Sequence, residues 1–263
     1  MQSIWQALRA FLFVMAVGYA TASGATAFTT NFSDLWWNPS KSGWGLNITM
    51  QSNVMFATWF VYGPDNRPIW YSATLEYAGL SGNGALVFAG DLYVTSGPWF
   101  GGPFNPALVQ YRNVGVASFS SQFTDRATLQ YTVDGIAVVE AIQRQTLRND
   151  DLTGNYMGGT SDVSFDCTNP ANDNIRSEDA GPVTVTHTGT DVLIRTPSCT
   201  IAGTYSQQGQ AGTVLGTYSC TGGTAGTLTL FDARVETSGI TGRYVARNQD
   251  CSLDGNLGGT RRK

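Results

Sequence analysis

The sequence predicts an all-β protein made of two antiparallel meander barrels or sandwiches, and three observations point there. The first is composition. Of 263 residues, 31 are glycine, 12% are aromatic and 13% carry charge. That mix supplies turns and apolar surface, and it is too apolar for a disordered chain. The second is periodicity. Apolar and polar residues alternate over many short stretches, the spacing of half-buried strands. The third is a division by residue type. Trp36, Trp37, Trp44, Trp59, Trp70 and Trp99 all precede residue 148, whereas Cys167, Cys199, Cys220 and Cys251 all follow residue 152. The change falls at Arg148-Asn149-Asp150-Asp151, a polar run without apolar periodicity, which reads as a domain boundary.

Residues 1–27 read as a secretory signal. Arg9 supplies the positive region, Ala10–Val17 the short apolar region, and Ala20-Thr21-Ala22 and Ala25-Thr26-Ala27 two cleavage signatures. The apolar run is too short to span a bilayer, and no second membrane segment follows. The mature chain is expected to start near Ser23 or Phe28, secreted or periplasmic. It is acidic: the net charge is −4 with Arg9 included, and Lys41 and Lys263 are its lysines. Without a basic patch carrying interleaved aromatics, nucleic-acid binding is disfavoured.

Residues 28–148 scan as a Trp-rich meander. Trp36-Trp37-Asn38-Pro39-Ser40-Lys41-Ser42-Gly43-Trp44-Gly45 is too rich in turn formers for a helix and too aromatic for an ordinary loop. Trp44, Leu46, Ile48 and Met50 then share one strand face. Val54–Tyr62 is apolar on both faces, with Trp59 beside Met55, Ala57 and Val61. Gly63–Pro68 is a turn, and Ile69, Tyr71, Ala73 and Leu75 form the next face, with Trp70 on the opposite side from Ile69 and Tyr71. Gly79–Gly84 is a loop, and Ala85–Tyr93 a strand. A second aromatic loop follows at Gly97-Pro98-Trp99-Phe100-Gly101-Gly102-Pro103. Strands at 114–123, 127–133 and 136–143 complete about seven. The last two join at Asp134-Gly135, a type I′ hairpin signal that needs positive φ at both positions.

Residues 152–263 carry an internal repeat. Cys167 to Cys199 and Cys220 to Cys251 have nearly equal spacings, and Cys199-Thr-Ile-Ala-Gly203 mirrors Cys251-Ser-Leu-Asp-Gly255. Four cysteines in an exported chain imply two disulfides, and the absence of a C-x-x-C argues against zinc. The repeat favours pairing within each copy, Cys167–Cys199 and Cys220–Cys251, and a pair of curved meanders. A finer pattern of apolar residue, Gly and Tyr at alternate positions recurs at Leu152/Gly154/Tyr156, Ile201/Gly203/Tyr205, Val214/Gly216/Tyr218 and Ile240/Gly242/Tyr244. All three positions share a face, and the glycine lets the strand bend or a ring pack over it.

Leu35-Trp36-Trp37-Asn38-Pro39 … Ser42-Gly43-Trp44-Gly45, then Ala57-Thr58-Trp59-Phe60 and Trp70-Tyr71, resemble a family of exported proteobacterial proteins that share a W-W-N-P-x-x-S-G-W-G motif. The segments Gly97–Gly102, Tyr131–Gly135 and Ile142–Gln145, and the Cys251 … Arg262 tail, look like the same family. The resemblance implies an envelope or secreted β-protein and transfers no catalytic residue. The Thr-Gly-x-Tyr strands are more loosely similar to avidin- and lipocalin-like meander barrels.

Catalytic chemistry finds few candidates. His187 is the lone histidine, flanked by threonines on a strand, and reads as solvent-facing rather than as a triad base; no Gly-x-Ser-x-Gly elbow is present. Glu140, between Val138 and Ile142, is expected to be buried if that face is interior. It would then be a general-acid candidate for glycoside hydrolysis, or an ion-pair partner of Arg144. Asn169, Asn172, Asp173 and Asn174 offer oxygens for calcium but read as a solvated loop. No metal or other cofactor is expected. The aromatic set is the functional lead: Trp36, Trp37, Trp44, Trp70 and Trp99 are candidates to stack on a glycan or a small apolar ligand, with indole N–H groups as donors. The expected function is a non-catalytic binding module. The alternatives are an envelope structural or interaction protein and a hydrolase using Glu140.

Overall fold

A computed structural model describes residues 31–262; the signal at 1–27 lies outside them. The described chain forms two closed eight-stranded antiparallel barrels. The first comprises β1 (Asp34–Trp37), β2 (Gly45–Gln51), β3 (Val54–Tyr62), β4 (Pro68–Leu80), β5 (Leu86–Ser96), β6 (Gln110–Ser121), β7 (Arg126–Val133) and β8 (Ile136–Arg144). Each strand pairs with the next, and β1 closes on β8 through Trp36 opposite Arg144 and Trp37 opposite Gln143. Asp134 and Gly135 take φ of 48° and 86°, so the hairpin between β7 and β8 has the expected turn.

Alternation decides what fills this barrel. On β3, Met55, Ala57 and Trp59 are buried, whereas Phe56 and Phe60 face solvent. Trp36 is wholly buried; its Nε1–H donates to the Phe32 carbonyl at 2.9 Å and its ring meets Phe119 edge to face, centroids 5.1 Å apart. Phe32, Phe88 and Phe119 complete an aromatic plug. An eight-stranded barrel is just wide enough for side chains of this size to fill it.

The second barrel comprises β9 (Gly154–Phe165), β10 (Arg176–Thr188), β11 (Asp191–Arg195), β12 (Cys199–Gln208), β13 (Ala211–Cys220), β14 (Ala225–Val235), β15 (Gly239–Asn248) and β16 (Ser252–Arg261). β16 closes on β9 from Ser252 opposite Phe165 to Arg261 opposite Tyr156. The expected pair of curved meanders is therefore one barrel. The apolar–Gly–Tyr positions point inward: Leu152, Tyr156, Ile201, Tyr205, Val214, Tyr218, Ile240 and Tyr244 are buried. Gly255, in the variant Leu253/Gly255/Leu257 of the same pattern, shows the glycine's role, since a Cβ there would lie 2.7 Å from Tyr244 Cζ.

The disulfides correct the pairing expected from the repeat. They are Cys167–Cys251 and Cys199–Cys220, each with Cα atoms 4.0 Å apart. Cys199 sits directly opposite Cys220 in the β12–β13 ladder. Cys167 and Cys251 flank the Phe165–Ser252 pair. A Cys167–Cys199 bridge would instead have to pass β10 and β11, about 14 Å along the wall at ~4.8 Å per strand, against a Cα limit of about 7 Å. Each repeat copy encloses a hairpin, but the covalent links join one half of the barrel to the other.

The barrels meet end to end, across residues 145–153. Arg144 and Asp34 are both buried at the end of the first barrel, Nη1 to Oδ2 at 2.9 Å. Arg144 also donates to the carbonyls of Thr124 and Asn31, both at 2.5 Å, and its guanidinium lies 5.1 Å from the Trp36 ring. Burial pulls the Arg144 pKa below its ordinary value and Asp34 opposes the shift; the group stays charged at neutral pH. The β12–β13 turn of the second barrel caps this pair. Asp34 Oδ2 accepts from Gln210 N at 2.8 Å, and Gly209 N donates to Thr146 Oγ1 at 2.8 Å. Gly209 has φ of 64°, and a Cβ there would land on the Asp34 carboxylate, so only glycine fits the joint.

Candidate functional site

The segment between β1 and β2 folds over the outer end of the first barrel. Lys41 N donates to the Asn38 carbonyl at 2.9 Å, and Asn38 Oδ1 accepts from Ser40 N at 3.0 Å and Ser40 Oγ at 2.8 Å. The anchor comes from β8. Glu140 is buried, as its strand position predicted, and it accepts from Asn38 Nδ2 at 2.9 Å and from Lys41 Nζ. The expected Arg144 partner is corrected: Arg144 belongs to Asp34 at the other end of the barrel.

The Glu140 contact raises the Lys41 pKa above 10.5, the hydrogen bond being the larger cause. With a folded-state pKa above the unfolded one, the pair stabilises the loop below pH 10.5 and is lost as pH rises through the raised value. Amide exchange at residues 38–44 is therefore expected to be slow relative to neighbouring loops at neutral pH. In Glu140→Gln it should quicken with the rest of the barrel unchanged. Unaltered exchange would show that Glu140 does not hold the loop.

The loop's register creates a feature on the barrel wall. Trp37 lies one position past the Trp36–Leu46 pair, beside Gly45. Gly45 is opposite Phe60, and Phe60 is opposite Trp70. Trp37, Gly45, Phe60 and Trp70 thus form one outward row across four strands: a ring, a gap and two rings. Strands ~4.8 Å apart set the flanking positions about 9.5 Å apart, room for one six-membered ring between them. The resulting cleft is about 320 Å³, lined by Trp37, Gly45 and Phe60, with Ser42, Asn47 and Gln145 at polar positions. A Cβ on Gly45 would touch nothing closer than the Trp36 carbonyl at 4.0 Å, so the gap is real space.

The five candidate tryptophans separate. Trp36 is a plug residue and leaves the ligand set; its strand position is inward, so a ligand cannot reach it. Trp37, next along the strand, is partly exposed and lines the cleft; its Nε1–H is covered and has no partner among the described residues. Trp44 is partly buried: it lines the cleft, and it also packs on the core and against Tyr131. That contact opposes the upward pull of burial on the Tyr131 pKa. Trp70 is 46% exposed and continues the row beside Phe60. Trp99 is 71% exposed and packs on Phe100 in the β5–β6 loop, away from the cleft residues. Two cleft residues escaped sequence reasoning. Phe60 was hidden in a strand apolar on both faces; its alternation with buried Trp59 was the available signal. Gly45 is notable for a side chain it lacks.

The chain matches no protein-family model, no curated protein and no solved structure.

The remaining candidates are structural. The expected solvent-facing His187 is corrected: it follows Val183 and Val185 inward, its side chain is 9% exposed, and it meets Tyr205 at 5.0 Å. Its Nδ1 accepts from Leu152 N at 3.3 Å, so the neutral ring carries its proton on Nε2. Asp151 lies 3.8 Å away, and no serine hydroxyl among the described residues hydrogen-bonds the ring. Asn169 caps a short 3₁₀ turn through Ala171 N, and Asp173 accepts from Cys167 N. Their oxygens are used locally. Among the described residues no cluster of three or more His, Cys, Asp or Glu is placed to hold a metal, and no helix is long and apolar enough to cross a membrane.

Proposed function

We propose that the protein is a secreted or periplasmic binding module that holds a glycan against the outer wall of its first barrel. One observation carries the reading: the Trp37–Gly45–Phe60–Trp70 row, in which flat rings flank a glycine gap open to solvent. Sugars present an apolar C–H face and a hydroxylated edge. Trp37, Phe60 and Trp70 suit the face, and Ser42, Asn47 and Gln145 the edge. A small wholly apolar ligand suits the site less, because such molecules favour enclosed pockets and the interior is already filled by Trp36, Trp59, Phe88 and Phe119. The export reading rests on the signal-like N-terminus and is supported by the two disulfides. The resemblance to the exported proteobacterial family agrees with it.

The test is to screen the full chain against immobilised polysaccharides and lipids, then to titrate the hit by tryptophan fluorescence. Gly45→Leu fills the gap without strain, so it should fold normally and lose at least tenfold in affinity, about 1.4 kcal/mol. Trp37→Ala should lose a similar amount. Binding undiminished in both variants would remove the cleft from the function. A preference for lipids would favour the apolar-ligand alternative.

A second reading, an interaction protein of the envelope, is favoured by the β5–β6 loop, where Trp99, Phe100 and Phe104 are all exposed. The hydrolase reading gains no support, because Asn38 and Lys41 occupy both Glu140 oxygens.

A further inference from the structure

We infer that the second barrel carries its own ligand site, a cup at the end remote from the first barrel that takes a small organic cation with an apolar body. The cup is about 390 Å³. Its walls are residues of β9, β10 and β12–β16, and the β11–β12 and β13–β14 loops form part of its rim. The two disulfides close neighbouring strands at this end: β12 to β13 on one side, and β16 to β9 four strands around. A barrel end stapled at opposite points keeps its shape when empty.

The lining has a definite chemistry. It contains Asp162, Glu178 and Asp179 and no Lys, Arg or His. Glu178 is neutralised by Arg176 at 2.7 Å, which leaves the two aspartates. Asp162 Oδ2 accepts from Tyr244 Oη at 2.5 Å, with no protein donor on Oδ1 among the described residues. Asp179 Oδ2 accepts from Thr196 Oγ1 at 2.7 Å and Ser198 Oγ at 2.6 Å. These bonds hold both carboxylates in place. Ile201 and Leu228 supply apolar wall.

A separate observation points to an occupant. Tyr218 lines the same cup and is more than nine-tenths buried; the Asn248 side chain lies near its hydroxyl, but the hydroxyl makes no hydrogen bond of normal geometry among the described residues. A buried hydroxyl without a good partner is destabilising, and a ligand polar group would remove that cost. Carboxylate, tyrosines and an apolar wall together suit an alkyl- or arylammonium: the charge meets Asp162, the tyrosines are aromatic neighbours for it, and the body covers Ile201 and Leu228. An anion would face two uncompensated carboxylates.

The test uses three matched probes on the unaltered full chain, followed by ¹H–¹⁵N NMR titration: 4-phenylbutylammonium, 4-phenylbutanol and 5-phenylpentanoate. The ammonium should bind about tenfold or more tighter than the alcohol, the size of one charge-assisted contact. The carboxylate should not bind. Shifts should centre on residues 162, 218 and 244 and leave 37, 45 and 60 unmoved, which separates this site from the barrel-wall cleft. Asp162→Asn should bring the ammonium down to the alcohol's affinity. Tyr218→Phe should weaken the alcohol and the ammonium while leaving Tm the same or higher, an outcome a purely structural tyrosine would not give. Equal binding of ammonium and alcohol, shifts elsewhere, or no ammonium binding at about 10 mM would overturn the inference.

Discussion

Arg144→Met is expected to lower the stability of the first barrel by about 3–5 kcal/mol, the usual cost of stranding one member of a buried ion pair. The reason is specific. Asp34 would keep its Gln210 contact but lose the charge that compensates it, and the carbonyls of Thr124 and Asn31 would lose their donor. Methionine fills most of the volume, so the loss reads the electrostatics rather than a cavity. The paired change Asp34→Leu with Arg144→Met should recover much of it, because an apolar pair of similar volume is often as stable as the ions it replaces. The measurement is convenient. Every tryptophan in the described residues belongs to the first barrel, so urea unfolding of the protein without the signal-like residues 1–27, which hold Trp5, reports that barrel through indole fluorescence. A loss below about 1 kcal/mol for Arg144→Met would mean that the pair is solvated in solution and that the junction is looser than described.

Removing the disulfides should hurt the second barrel unequally. Cys167–Cys251 closes 84 residues and Cys199–Cys220 closes 21. In the chain-entropy treatment these contribute about 4.6 and about 3.3 kcal/mol. Cys167→Ala with Cys251→Ala is therefore expected to be the more damaging pair of changes, read by tyrosine fluorescence or near-ultraviolet circular dichroism. The pairing that the repeat suggested closes two loops of nearly equal length and predicts equal losses, about 3.7 kcal/mol each. Equal losses, or non-reducing peptide maps that join Cys167 to Cys199, would overturn the topology of the rim.

Much of the wall was readable because strand alternation is local. Met55, Ala57 and Trp59 share a buried face as their spacing requires, and Trp36 and Trp37 divide between inside and outside because they are neighbours. The burial of Glu140 followed from Val138 and Ile142. Its partners did not, since Asn38 and Lys41 are about a hundred residues away and meet it only after the barrel closes. Closure itself was hidden: β1 is four residues long and pairs with β8 at two positions. The disulfides misled for a related reason. Spacing records distance along the chain, whereas a bridge depends on which strands become neighbours. The cleft was half visible: its tryptophans stood out, but Gly45 matters through empty space, which no residue pattern displays.

The joint at Gly209 has one further consequence. Each barrel spends one end on the other, so each keeps one free end. The aromatic wall lies toward the free end of one barrel and the acidic recess at the free end of the other, on a single polypeptide. Two occupants of different chemistry would be held by separate barrels of one chain, and the bulk of a β-carbon at position 209, landing on Asp34, would be enough to disturb the joint between them.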